Sequence, residues 1–112
     1  LDVTDGIFFL KSDGGTTITF IVEKDSTQST LDLPNALADD TFMTIGFVYD
    51  PKDQKFHVFQ NNVLAGTVVN TNAPDNEELT VSFGIQNGAA AAKTLTVDYI
   101  GAHKERTAVT EL

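Results

Sequence analysis

The chain has no cysteine and no tryptophan, one methionine and three prolines among its 112 residues. Without cysteine there is neither a disulfide frame nor a thiolate metal site, and the redox compartment is left open. Without tryptophan the broadest ring for stacking on a sugar is missing. Basic residues are also scarce: seven lysines and arginines stand against sixteen aspartates and glutamates, for a net charge of −9. Phosphate backbones are gripped by basic patches, so this balance disfavours direct binding to nucleic acid. No apolar run approaches the roughly 20 residues of a membrane-spanning helix. The opening Leu1-Asp2-Val3-Thr4 has no Met and no signal-peptide pattern, which reads as a start inside a processed or longer polypeptide.

What is present is a series of short segments with a period of two. The longest runs from Phe42 to Val69, FMTIGFVYDPKDQKFHVFQNNVLAGTVV. Met43, Ile45, Phe47 and Tyr49 alternate with Thr44, Gly46, Val48 and Asp50, as in a half-buried strand. A polar turn, Asp50 to Lys55, leads to a second strand with Phe56 and Val58 on one face and His57 and Phe59 on the other. Asn61-Asn62 tolerates positive φ and suits a two-residue hairpin into Val63–Val69.

The same pattern flanks this meander. Ile7 to Leu10 and Thr16 to Glu23 form a natural hairpin around Gly14-Gly15. Ile18, Phe20 and Val22 are expected to face the core, with Thr17, Thr19, Ile21 and Glu23 on the other side. Gln28 to Leu33 is a weaker strand, ended by Pro34-Asn35, and Ala36-Leu37-Ala38 is too short for a stable helix. Two further strands are expected at 79–86 and 93–102, separated by an Asn87-Gly88 turn cue and a run of small residues. Eight short strands without a substantial helix predict an all-β, antiparallel sandwich or barrel, and the β-sandwich is the fold expected. It is expected to occupy residues 1–102 as a single domain, with 103–112 as a polar tail.

Chemistry-bearing patterns are weak. His57 and His103 are the two histidines, and no Gly-x-Ser-x-Gly elbow accompanies them. A glycosidase needs two carboxyl groups, about 5 to 5.5 Å apart for retention and wider for inversion. The strand carboxylates Glu23, Asp32, Asp50 and Asp98 include no i, i+2 pair, so any such pair has to form across strands. Asp39-Asp40, Asp50-x-x-Asp53 and Asp75-x-Glu77-Glu78 are oxygen-rich loops. Asp50, Asp53, Asp75 and Glu77 are the weak calcium candidates, though none of the loops has the spaced calcium-loop motif. No catalytic residue and no cofactor site is expected.

The stretch Ile45 to Asp50 followed by Phe56 to Asn62 resembles the concanavalin-A-like and laminin-G-like jelly rolls, with Asn62 standing where Gly is usual. Over almost the whole chain there is a further resemblance to a family of tailed-bacteriophage virion proteins. It rests on Asp5 to Gly15, on Leu37 to Phe42 and on Gly84 to Ile100. Members of that family carry further strands before the segment that Asp5 begins, so the resemblance implies a jelly roll incomplete at its N-terminus. It implies a non-enzymatic capsid decoration or cement protein on the outer surface of the virion. The implied partners are the major capsid protein and symmetry mates, with a trimer as the natural homo-oligomer. The motifs are structural, and no site residue is carried over. The other readings are a lectin-like carbohydrate-binding module and a degenerate glycoside hydrolase.

Overall fold

A computed structural model describes residues 3–86, 88, 90 and 92–104. The chain divides into two compact units, Leu1–Leu79 and Thr80–Leu112. Among the described residues the first contains all the strands: β1 (Gly6–Lys11), β2 (Ile18–Lys24), β3 (Thr27–Asp32), β4 (Ile45–Asp50), β5 (Lys55–Gln60) and β6 (Val63–Val69). A 3-10 turn, Asn70–Asn72, follows β6. The strands form two three-stranded antiparallel sheets, β1-β2-β3 and β4-β5-β6, which are small and not closed.

Local chemistry explains the hairpins. Two-residue hairpin turns match the right-handed twist of strands when both central residues have positive φ. Asp25 and Ser26 take φ of 48° and 62° between β2 and β3, and Asn61 and Asn62 take 51° and 64° between β5 and β6. Asp and Asn tolerate this region because their short polar side chains bond locally. The β4–β5 turn is held differently. The Asp50 carboxylate accepts a bond from the Lys52 backbone N–H at 2.9 Å, and Gln54 takes the left-handed position.

The period-two reading places the core correctly. Ile18, Phe20 and Val22 of the central strand β2 pack with Leu33 and with Phe56, Val58 and Val68 of the opposite sheet. The sheets stack strand over strand. The Phe9 and Phe47 rings bring β1 over β4 at 6.3 Å, and Phe20 and Phe56 bring β2 over β5 at 5.9 Å. Leu31 of β3 rests on Gly66 of β6, where an added Cβ would lie 3.0 Å from a Leu31 methyl. That close approach is what the glycine permits. The other face of β2 is less wet than its pattern suggests. Ile21 and Glu23 are buried there, between the flanking pairs Phe8 and Thr30, and Gly6 and Gln28.

Two expected strands do not form. Residues 79–86 and 93–102 have no strand structure, although their apolar residues alternate as expected. Alternation selects the face of a strand, but a strand also needs a hydrogen-bonded neighbour, and neither segment has a ladder partner among the described residues. Their large side chains stay exposed, Phe83 to 68% and Tyr99 to 72%. Asn87, two of the following alanines and residues 105–112 of the expected tail lie outside the described residues. No helix among the described residues is long and apolar enough to cross a membrane.

Candidate functional site

Two groups of candidate side chains are assembled on the first unit. One is the β4–β5 turn. Asp50 closes β4, Asp53 sits in the turn and His57 projects from β5, and their ligand atoms all lie within 4.8 Å of one another. His57 Nε2 is 4.0 Å from an Asp53 carboxylate oxygen. Register brings them together: Asp50 pairs with Lys55 and Val48 with His57, so Asp50 and His57 stand near one another on one face. Of the four calcium candidates, the structure thus joins Asp50 and Asp53 and adds His57, which sequence spacing alone did not connect to them. The arrangement offers two oxygens and one imidazole nitrogen. Calcium takes six to eight oxygens, so this donor set fits zinc or another imidazole-binding divalent ion better.

Asp75 has a different partner. Its carboxylate accepts a 2.7 Å hydrogen bond from the Lys24 ammonium. Glu77 is exposed and joins neither group. The Lys24–Asp75 pair stands at the rim of the second feature, a cleft of about 430 Å³. Ile7, Phe47, Tyr49 and Phe56 form its apolar wall, with Asn70 and Thr71 on the polar side. The Asn70 amide donates to the Tyr49 hydroxyl at 3.0 Å, and Asn72 donates to Ser29 at 2.9 Å, which ties the 3-10 turn to both sheets.

The hydrogen bond to Lys24 holds the Asp75 carboxyl below its ordinary value of 3.8, and the same bond raises Lys24 above 10.5. Both groups face solvent, so the pair is sensitive to salt. A depressed carboxylate contributes stability above its unfolded value and loses it as pH falls through the folded one. A raised ammonium contributes below its unfolded value and loses it as pH rises. The pair is therefore fully present between about pH 4 and pH 10 and is lost only as pH falls through the Asp75 midpoint, below 3.8, or rises through the Lys24 midpoint, above 10.5. In a carboxyl-detected NMR titration the Asp75 midpoint should lie below 3.8 and move upward in Lys24→Met. A wild-type midpoint at or above 3.8 would contradict the pairing.

The strand carboxylates do not make a glycosidase pair. Glu23 accepts from the Gln28 amide at 3.2 Å and Asp32 from the Thr19 hydroxyl at 2.7 Å. These two lie on the same face of the first sheet, but Glu23 is four positions along β2 from Thr19, which stands opposite Asp32. At strand rise that is about 13 Å, beyond the separation of either glycosidase class. Asp50 is engaged by Lys52, and Asp98 is exposed in a segment without strand structure.

The sequence reading missed Gln60. It is 2% exposed, and its amide clamps the backbone of Asn35: Nε2 donates to the Asn35 carbonyl at 2.7 Å, and Oε1 accepts from its N–H at 2.9 Å. Its place in the alternation Phe56, Val58, Gln60 was the available signal, a polar residue on an inward row. No family model matches the chain, and neither a curated protein nor a solved structure matches it.

Proposed function

We propose that the chain is a non-enzymatic virion structural protein of jelly-roll type, which decorates or cements a phage capsid. In this reading it sits on the outer capsid surface and binds the major capsid protein and its own symmetry mates. The observation that carries the proposal is the amount of patterned apolar surface left uncovered. Ile45, Phe47 and Tyr49 of β4 are more than a third exposed, and Leu79, Val81, Phe83 and Ile85 more than half. Large exposed apolar patches mark interaction sites. The resemblance to tailed-phage virion proteins supplies the kind of assembly. A chain of net charge −9 also suits an outer surface in contact with water.

The protein is expected in density-gradient-purified virions of the phage that encodes it, at a copy number tied to the capsid lattice. Its absence from purified particles would overturn the proposal. The aromatic cleft supports a second reading, a lectin-like carbohydrate-binding module, because Phe47 and Tyr49 offer ring faces beside the polar Asn70 and Thr71. A glycan array silent with and without calcium would remove it.

A further inference from the structure

Strand register gathers three metal-ligating side chains at one end of the β4-β5-β6 sheet. β5 is the central strand, so His57 has a fixed place, opposite Val48 on one side and Thr67 on the other. Asp50 is the last residue of β4 and pairs with Lys55, two positions before His57. Asp50 and His57 are thus diagonal neighbours on one face, within reach of each other's side chains. Between them the chain reverses through Gln54, at φ of 55°, and the turn brings Asp53 to the same pair. The spacing Asp50-x-x-Asp53-x-x-x-His57 converges because β4 and β5 pair in this register.

A plain ion pair does not account for the geometry. His57 Nε2 lies 4.0 Å from the Asp53 carboxylate oxygen, beyond hydrogen-bond reach. The facing atoms of all three residues lie within 4.8 Å of one another. Two ligands of one tetrahedral zinc ion, each bonded at about 2.0 to 2.2 Å, stand about 3.3 to 3.6 Å apart. The observed set has to close by roughly 1 Å to reach that spacing. Asp53 is exposed in its turn and can supply the movement by side-chain rotation.

Neighbouring charges leave the carboxylates available. Asp50 accepts from the Lys52 backbone N–H with one oxygen and keeps the other. The Lys52 and Lys55 side chains are exposed, and among the described residues neither ammonium pairs with Asp50 or Asp53. Asp50 and His57 are half-buried, which limits competition from water. An imidazole beside two carboxylates suits zinc, whereas calcium and magnesium call for oxygen donors alone. Three protein ligands leave one zinc position open to water.

We propose that Asp50, Asp53 and His57 bind one zinc ion, which clips the end of β4 to β5 and holds the turn between them. The site lies wholly within the first unit and is independent of the capsid reading.

The test uses the intact chain, treated with a chelator and then titrated with zinc chloride. Calorimetry should find one zinc per chain. His57→Gln and Asp53→Asn should each weaken binding at least tenfold, the lower end of the loss seen when even a supporting group around a metal is removed. Neither residue belongs to the core cluster, so both variants should keep the wild-type circular dichroism. His103→Gln removes the other histidine and should bind as wild type does. Zinc should raise the wild-type melting temperature, and the rise should vanish in His57→Gln. In a long-range ¹H–¹⁵N spectrum zinc should shift the His57 ring nitrogens and leave those of His103 in place. The assignment is overturned by the lack of saturable binding up to about 1 mM zinc. It is equally overturned by affinity unchanged in both His57→Gln and Asp53→Asn, by affinity lost in His103→Gln, or by calcium binding the site more tightly than zinc.

Discussion

Replacing Phe20 with alanine is expected to destabilise the first unit by about 3 to 5 kcal/mol, the range for deleting a buried aromatic side chain. Phe20 has no solvent exposure and lies at the crossing of the two sheets. Its ring centroid is 5.1 Å from Phe9, 5.3 Å from Phe47 and 5.9 Å from Phe56, all in tilted geometry. Tilted pairs at these distances add to simple area burial. The cavity cannot collapse easily, because its walls are strands locked by ladder bonds on either side of β2. Urea denaturation followed by far-UV circular dichroism would read the loss as a lower midpoint with an unchanged slope. Domains of this size have only about 5 to 15 kcal/mol in total, so the variant should be close to unfolding at 37 °C. A loss below about 1 kcal/mol would mean that the ring cluster is not the centre of the core.

Gln60→Leu is expected to cost about 1 to 3 kcal/mol, despite adding an apolar side chain of similar size to a buried site. The loss comes from the partner it leaves behind. The Asn35 N–H and carbonyl are held by the two ends of the Gln60 amide, and a leucine can satisfy neither. Asn35 follows Pro34 at the point where the chain leaves β3 for the other sheet, so this clamp fixes the crossover. Hydrogen exchange at the Asn35 amide gives the specific readout. It should speed up far more than exchange in β2, whereas a general loss of stability would speed both. Equal stability of Gln60→Leu and wild type, with unchanged Asn35 protection, would show that the clamp contributes nothing.

Particular residues show what was legible beforehand. Ile18, Phe20 and Val22 recur at every second position, and hydrophobic burial turned that period into the core row of β2. Asn61-Asn62 announced its own turn, because few residue pairs accept two successive positive φ values. Asp50 and Asp53 could be seen as neighbours in a turn. His57 could not be joined to them, because its proximity depends on the β4–β5 register. The Lys24–Asp75 pair spans 51 positions, and nothing local connects its ends. Gln60 is intermediate: its inward position could be read from the period, but its partner at Asn35 could not.

The two segments 79–86 and 93–102 mark the boundary most clearly. Their residues largely alternate between apolar and polar, yet they form no strand. Side-chain period is a property of the segment, whereas a strand is a property of a pair, completed only by a neighbour's N–H and carbonyl groups. By itself, then, the sequence determined an acidic, cysteine-free, all-β chain, the inward row of β2 and the two-residue turn at Asn61-Asn62. These follow from composition, hydrophobicity and backbone sterics over a few residues. The tertiary structure decided which strands find partners, that they make two open three-stranded sheets, and which charged groups meet. Those outcomes depend on contacts between residues far apart in the chain.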